Sequence, residues 1–296
     1  MHLFRLLKKC FALVLTITPT WAFGFFSSSD VIGNLPLSQN INVSIYSPLN
    51  LNHQPEVLIS RDVYLISFNP QKRLLNWASW KIESSDLGSV GRSNNFLPDP
   101  DLQNYLTKLN QQAVLPDDYK NSCFDRGHQV PSADRDTSMP INQLTFLMSN
   151  MIPQTAYLNR VVWEHLEHYT RELVRTQNKK VYIIAGPIYD EDFGKIGINH
   201  DIPVPSKNFK IVISVNQNQN INDPNVKPEV VSVVMPNILK NGKKPNEDQQ
   251  ELCAESKSLS IGPGASKTMN YDDWKAFQVD LSEVERLSGF KIENLR

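Results

Sequence analysis

The sequence predicts an α+β fold with a mixed, mainly antiparallel sheet. Three observations support this prediction: a pair of strand-type segments joined by a turn, one long segment with helical periodicity, and three short apolar segments after it. No linker rich in Gly, Ser or Pro separates these segments. We therefore expect them to share a single core.

The first strand pair lies at residues 63–68 (VYLISF) and 74–82 (LLNWASWKI). Both segments are rich in β-branched and aromatic residues, and Asn69-Pro70-Gln71-Lys72 between them is typical of a turn. We expect a β-hairpin here. The later apolar segments are predicted to be buried strands at 180–185, 209–215 and 230–235, with a protruding loop at 216–228.

A long amphipathic helix is predicted at residues 154–176. Apolar side chains recur there three or four positions apart, at Leu158, Val162, Leu166, Tyr169 and Leu173. A second row at strict spacings of four consists of Asn159, Trp163, Glu167 and Arg171. Members of such a row are neighbours on the helix surface, so an amide, a carboxylate and a guanidinium project from one side. Taken alone, the row is also compatible with a solvated charged stripe.

The chain after the last predicted strand has weaker signals. Residues 237–268 are rich in Lys, Asn, Gly, Pro and Ser, which predicts a long surface excursion. A short helix is expected within 274–287, with Ser282 as its N-cap and Glu285 at the capping-box position.

The amino terminus has the pattern of a secretory signal peptide. Arg5, Lys8 and Lys9 precede an apolar stretch of about 16 residues, which Pro19 interrupts and which is shorter than the roughly 20 residues of a membrane span. We predict a signal peptide at 1–22, a leader or arm at 23–57 and the main domain at 58–296. Without the three cations the formal net charge changes from -1 to -4, so the mature chain would be mildly acidic.

Cysteine usage is compatible with export. Of the three cysteines, Cys10 lies in the predicted signal peptide, which leaves Cys123 and Cys253 as an even number in an oxidising compartment. Two unpaired thiols are the alternative, because the sequence does not give the separation of these residues. We predict that they form a disulfide.

The motif Asp125-Arg126-Gly127-His128 carries the clearest chemical signal. A histidine is a base with a pKa near neutrality, and an arginine beside it is a permanent cation that can hold phosphate oxygens. This combination suits the attack of water on a phosphate ester. A satisfied core histidine, the structural alternative for His128, would not explain the surrounding motif.

DRGH is followed by SNMIPQ at 149–154, then by LNR and WEHLE. In this order the motifs strongly resemble the DNA/RNA non-specific endonucleases with the ββα-metal active site, or His-Me finger, a family that includes mitochondrial endonuclease G and secreted bacterial nucleases. Further segments are similar in the family's order, among them NWASWKI, VYIIAGPIY, FKIVISV and VVMPN. The resemblance covers roughly residues 60–290. One departure is Cys123, which stands where many relatives have glycine.

The resemblance implies a role for each matching position. His128 would be the general base, Asn159 the single protein ligand of a magnesium ion, with manganese as a substitute, and Glu167 the residue that orients a metal-bound water. Arg126 and Arg171 would contact phosphate, and Asn150 would support the site. An amide oxygen completed by waters and phosphate oxygens is a sphere that magnesium accepts.

Further arginines are candidates for a substrate groove. Nucleic-acid binding depends on local positive charge, which a mildly acidic chain can still provide. We assign Arg92 and Arg160 to substrate binding together with Arg171, and Arg135 is a further candidate.

Two other groups of residues invite a functional interpretation. His165 and His168 are spaced like a zinc-binding pair, but we favour ordinary surface histidines because no third ligand is evident. Trp77 and Trp80 could stack on bases, but their place in a predicted hairpin favours core packing.

The expected function is a secreted or periplasmic, metal-dependent endonuclease that cleaves DNA and RNA to 5′-phosphate ends. The alternatives are an inactive nucleic-acid-binding protein of the same fold and a phosphodiesterase for another ester. We expect nucleic acid as the partner and no stable membrane insertion after signal cleavage. A homodimer and an inhibitor protein remain open.

Overall fold

A seven-stranded sheet organises the structure. The computed structural model describes residues 30–42, 48–259, 271–292 and 295, so the predicted signal peptide lies outside the described residues. In the order in which they lie side by side, the sheet strands are β1 (Asp30–Gly33), β3 (Val57–Arg61), β4 (Tyr64–Asn69), β5 (Leu74–Ile82), β8 (Lys179–Ile188), β11 (Lys207–Asn216) and β12 (Glu229–Pro236). Only β1 and β3 pair in parallel among these neighbours, which confirms the mixed, mainly antiparallel sheet.

Alternation along the strands buries both faces of the sheet. In β11, Phe209, Ile211 and Ile213 face one hydrophobic cluster, whereas Lys210 and Val212 lie on the opposite face, toward the long helix. The predicted hairpin is present as β4 and β5, and Trp77 and Trp80 are buried in the core as expected.

Several further strands and helices are short. They are the strands β2 (Leu49–Asn50), β9 (Lys195–Ile196), β10 (Ile202–Pro203) and β13 (Phe290–Lys291) and the helices α1 (Pro100–Lys108), α2 (Met139–Leu144), α4 (Gln249–Ser258) and α5 (Leu281–Ser288). β13 pairs with β2, and β9 pairs with β10. No helix of the described residues has the length and apolarity needed to cross a membrane.

Part of the predicted leader differs from the loose arm that we expected. β1 adds a parallel strand to the sheet, and Asn40 donates through Nδ2 to Ser60 Oγ at 2.8 Å and to the Arg61 carbonyl at 3.1 Å. Asn42 is also buried and donates to the Asp62 carbonyl at 3.0 Å. Amide side chains rather than an apolar repeat attach this segment, so hydrophobic periodicity could not reveal it.

The carboxyl-terminal expectations need two corrections. α5 begins after Asp280 rather than at a Ser282 cap, and Glu285 Oε1 accepts a hydrogen bond from the Ile292 amide at 2.9 Å instead of closing a capping box. The surface excursion contains a helix, α4, whose N-cap Asp248 accepts from the Glu251 amide at 3.1 Å. Its apolar pattern is weak because only Leu252 and Glu255 are buried in it.

A separate strand pair leads into the longest helix. β6 (Asp125–His128) and β7 (Met151–Gln154) are antiparallel, with His128 opposite Met151. The helix starts later than predicted, because Gln154 belongs to β7 and Leu158–Val162 form a π-helical turn before α3 (Trp163–Gln177). The apolar row from Leu158 to Leu173 does face the core, and Tyr169 packs on Trp274 with ring centroids 4.7 Å apart.

The predicted disulfide is present between Cys123 and Cys253, whose Cα atoms are 4.9 Å apart. It joins α4 to the residues that precede β6. The pairing of the two cysteines is therefore confirmed, and it connects the surface excursion to the strand that carries DRGH.

We expect the disulfide to stabilise the fold. It spans 130 positions of sequence, for which the chain-entropy model gives about 4 to 5 kcal/mol at most. A thermal melt with and without reductant should show a lower unfolding midpoint after reduction. The double variant Cys123→Ser/Cys253→Ser should melt at the reduced midpoint and not respond to reductant. Equal midpoints for oxidised and reduced protein would contradict the expectation.

Candidate active site

His128 lies at the end of β6 with its ring packed against two aromatic side chains, which also contact each other. Its centroid is 4.7 Å from that of Phe146 and 5.6 Å from that of Phe96, and the residue is 7% exposed. Burial lowers the pKa of His128 well below its usual range, and the charge of Arg92 lowers it further. A hydrogen bond with the Arg126 backbone opposes this shift, and the charge of Arg126 adds to it. A neutral imidazole is the form that can accept a proton. Within the described residues its buried Nε2 has no hydrogen-bond partner.

Gly127 leaves room for the side chain of Gln154, which belongs to the paired strand β7. A Cβ at this position would meet Gln154 Oε1 at 2.0 Å and Gln154 Cγ at 2.7 Å. Gln154 is fully buried and has little room to move. The glycine between the arginine and the histidine of the motif is thus required by packing rather than by chemistry.

Asn150 supports the segment that follows His128. Its side chain accepts from the Val130 amide at 3.0 Å and donates to the carbonyls of Val130 and Thr145, both at 2.9 Å. Its own carbonyl accepts from the Gln129 amide at 3.0 Å. Because Asn150 is fully buried, these contacts place it behind the site, as a support for the histidine strand.

Asn159 lies in the π-helical turn and is oriented by an acid. Its Nδ2 donates to Asp125 Oδ2 at 2.7 Å, which uses the nitrogen end of the amide and leaves Oδ1 as the donor atom for a metal. We gave Asp125 no role from the sequence, although it is the first residue of DRGH. Its place at the start of the motif was the signal that could have identified it.

The same carboxylate holds Arg160. Asp125 accepts from Arg160 Nε at 2.7 Å and from Nη2 at 2.6 Å, while Nη1 donates to the carbonyls of Ser256 and Leu259. The structure therefore uses Arg160 to connect the turn before α3 with the end of α4. We had expected Arg160 to contact a phosphate, and that contact would require the guanidinium to leave these partners.

Glu167 lies on α3 with Lys210 of β11 as its ion-pair partner, Nζ to Oε1 at 3.4 Å. Burial raises the pKa of Glu167 to about 7, although the cations Lys210 and Arg171 oppose this shift. Lys210 was missed by sequence reasoning, because it occurs inside the apolar strand segment FKIVISV and its side chain is only 1% exposed.

The candidate arginines divide into two groups. Arg126 lies over the Phe96 ring at 4.1 Å, and Arg92 is exposed, lies over Phe146 at 5.0 Å and donates to Ser132 Oγ at 3.1 Å. Their charges act on His128, and Arg92 also interacts electrostatically with Glu167. These contacts bring Arg92, Arg126, His128 and Glu167 to one site.

The other two arginines are buried and engaged. Arg171 Nη1 is 3.3 Å from Asp134 Oδ1, and its Nη2 is 3.5 Å from Glu164 Oε1. Arg135 donates to the carbonyls of Val63 and Lys81 at 2.9 Å and 2.8 Å. Both arginines therefore have structural partners, and the phosphate contact that we expected from Arg171 would require it to leave them.

The donor set around Asn159 fits magnesium better than zinc. The described residues contain no group of three or more His, Cys, Asp or Glu side chains that could hold a metal. An amide oxygen with a nearby carboxylate suits a hard cation that keeps most of its waters. His165 and His168 are not placed as we expected: His165 is buried, its Nδ1 is 2.9 Å from Asp273 Oδ1, and both rings pack on Tyr271.

Comparison with known proteins identifies this arrangement. Residues 44–295 match the profile of the family described as DNA/RNA non-specific endonuclease. The chain belongs to this family. A nuclease of Nostoc sp. is 33% identical over 233 residues, which cover 79% of this chain and 72% of the relative. Nuclease of Serratia marcescens is 32% identical over 162 residues, 53% of this chain and 58% of the relative.

Endonuclease G is a further relative in sequence and in fold. The mitochondrial human protein is 33% identical over 168 residues, which is 53% of this chain and 54% of that protein. The crystal structure of an EndoG/EndoGI complex has a TM-score of 0.56 at 23% identity, covering 81% of this chain and 86% of the other. This chain thus spans about half of human endonuclease G in sequence, and the α+β fold is shared with EndoG.

Family membership establishes the chemical class. The chain is a nuclease-family protein, a phosphodiester hydrolase of the non-specific endonuclease type, and the family is typically metal-dependent. The sequence resemblance to this family is confirmed.

We expect His128 to titrate below the usual histidine range, because burial and two cations disfavour the imidazolium. An NMR titration of the ring in the metal-free protein should place its midpoint below 6.5. Arg92→Met removes one of the repelling cations, so the midpoint should rise. Lys195→Met changes an exposed lysine and should leave it in place. An unchanged midpoint in Arg92→Met would contradict the assigned cause.

Proposed function

We propose that this chain is an exported, magnesium-dependent endonuclease that hydrolyses DNA and RNA without regard to the sugar, leaving 5′-phosphate and 3′-hydroxyl ends. One observation carries the proposal: a buried His128 is within the electrostatic reach of Arg92 and Arg126, and Asn159 contacts Asp125 on the same strand as His128. A neutral base beside fixed cations fits the attack of water on a phosphodiester.

In this proposal His128 takes the proton from the attacking water. Nε2 is the atom available for this step, since the described residues offer it no other partner. Arg126 and Arg92 hold the non-bridging phosphate oxygens, because the aromatic rings of Phe96 and Phe146 fix their positions without neutralising their charge. The aromatic packing of His128 also keeps its ring orientation constant during the reaction.

Magnesium would be held by Asn159 Oδ1, with manganese as a substitute. When bound, the ion stabilises negative charge on the phosphate and on the leaving oxygen. Asp125 keeps the amide nitrogen turned away from that position through its 2.7 Å hydrogen bond. Glu167 would orient a water that the ion holds.

Cleavage of both DNA and RNA follows from the type of contact. Arg92, Arg126 and His128 address a phosphate, which is common to the two substrates, and phosphate contacts carry no sequence information. The low net charge of the chain does not oppose this proposal, because two exposed or half-buried guanidiniums supply a local positive field.

Export to the periplasm or beyond is supported by the basic and apolar order of residues 1–22 and by the Cys123–Cys253 disulfide, which persists in oxidising compartments. A homodimer and a protein inhibitor are further proposals. The structural neighbour is described as EndoG in complex with EndoGI, in a study of EndoG inhibition.

Plasmid and RNA digestion, with and without magnesium, tests the function. We expect both substrates to be cleaved only with the metal, and His128→Ala to lower turnover by about 10² to 10⁴. This variant should also lose some stability, because the imidazole ring packs against Phe96 and Phe146. It is therefore assayed well below its unfolding midpoint.

His200→Asn is the matched control, since His200 is exposed and Asn tolerates its positive φ. Binding without cleavage would indicate an inactive nucleic-acid-binding protein. Cleavage of small phosphodiesters alone would indicate the other alternative.

Variants of Asn159 test the metal ligand. Asn159→Ala should abolish activity at low magnesium. Asn159→Asp places a second carboxylate beside Asp125 and should change the ratio of manganese to magnesium activity, because a charged ligand holds a divalent ion differently. Asn222→Ala, in the exposed loop between β11 and β12, is the control. Metal dependence equal to that of the parent in Asn159→Ala would remove this residue from the metal site.

A further inference from the structure

A buried lysine lies beneath the catalytic helix. Lys210 projects from the face of β11 that packs on α3, and its side chain is 1% exposed. Moving an ammonium group out of water costs several kcal/mol unless a charge partner compensates it. The structure therefore supplies a reason to look for what this cation does.

The ammonium group has one carboxylate partner and two aromatic ones. Nζ is 3.4 Å from Glu167 Oε1, 3.9 Å from the centroid of the Trp163 ring and 5.9 Å from that of Trp80. Trp163 and Glu167 lie on successive turns of α3. Lys210 thus contacts the same helical row that carries Asn159.

The neighbouring charges are already engaged with one another. Arg171 pairs with Asp134 and Glu164, and Trp80 Nε1 donates to Asp134 Oδ2 at 2.9 Å. Among the described residues, Lys210 is the cation found within 4.0 Å of the Glu167 carboxylate. The position of Glu167 therefore depends on the lysine more directly than on Arg171.

Glu167 also belongs to the catalytic side of the helix. Its charge acts on Arg92, whose charge in turn acts on His128. Lys210 itself lies behind these groups, in the sheet. It is placed to act on the reaction through Glu167 and not by touching a substrate.

We propose that Lys210 is a positioning residue, which holds the Glu167 carboxylate at the orientation that the reaction uses and favours its charged form. This inference rests on the proposed function. A purely structural ion pair is the competing explanation, and replacing both partners of a buried pair often costs little stability. The two explanations differ in what they predict for turnover, because only a positioning role makes kcat depend on Lys210 through Glu167.

The first experiment needs neither metal nor nucleic acid. The Glu167 carboxyl carbon is followed by ¹³C NMR over a pH titration of the full chain, with assignment by Glu167→Gln. Burial raises the pKa of Glu167 while Lys210 and Arg171 lower it, and Asp134 and Glu164 raise it. Removing the lysine charge in Lys210→Met should therefore raise the midpoint, by about one to three pH units.

Lys207→Met is the matched control, since Lys207 lies on the same strand and pairs with Asp190 and Glu191. Its midpoint for Glu167 should equal that of the parent. If Lys210→Met does not fold, Lys210→Gln takes its place and should give the same upward shift. An unchanged midpoint in the folded variant would overturn the proposal.

The second experiment is a kinetic cycle on plasmid cleavage. Lys210→Met should lower kcat about as much as Glu167→Gln, with little change in KM. The double variant should be no slower than Glu167→Gln alone, and Lys210→Arg should recover part of the loss. If the fold-losses in kcat of the two single variants multiply in the double variant, a role through Glu167 is refuted. A parental kcat in Lys210→Met would refute it as well. An inactive parent would instead refute the nuclease function. The NMR titration would still test whether Lys210 acts on the Glu167 carboxylate.

Discussion

The hydrogen bond from Asn159 to Asp125 is the contact on which the site depends. It joins the strand that ends in His128 to the turn that starts the long helix, at 2.7 Å. Backbone pairing of β6 with β7 brings the start of the helix close to this strand, and the side chains of Asp125 and Asn159 add a direct contact between the two. Asp125 also holds Arg160, which reaches the end of α4, and the disulfide returns from α4 to Cys123. Asp125 thus connects Asn159, the proposed metal ligand, with α4 and with the residues that precede β6.

Buried charged groups beneath α3 also orient the side chains of the site. Asp134 receives Arg171 and the Trp80 ring nitrogen, and Glu167 receives Lys210, all beneath one face of α3. Buried pairs of this kind contribute little net stability, because desolvation offsets their attraction. Their benefit is that the dipoles and charges are in place before a substrate arrives, which is what electrostatic catalysis requires.

Sequence reasoning was strong for the strands and the motif. β5 begins and ends where its β-branched and aromatic residues predicted. His128 and Asn159 could be proposed as site residues because the resemblance to the family is carried by the local motifs DRGH and LNR. It was weak wherever a partner is distant. Nothing in the sequence shows that Arg160 and Arg171 are held by Asp125 and Asp134, since an arginine in a groove and one in an ion pair have the same sequence. The leader strand β1 was missed because backbone pairing and buried amides hold its segment, with single apolar contacts such as that of Ile32 and no apolar repeat.

The engaged arginines explain how a chain with slightly more acids than bases can serve a polyanion. Counting charges treats every guanidinium as equal, yet Arg135, Arg160 and Arg171 have protein acceptors. Arg92 and Arg126 differ, because aromatic rings hold them by cation-π contact. Arg92 also donates to the neutral acceptors Asn94 Oδ1 and Ser132 Oγ, which do not neutralise its charge. An aromatic partner positions a cation without neutralising it, whereas a carboxylate does both. Phe96 and Phe146 therefore determine where guanidinium charge lies beside His128, whose ring they also contact.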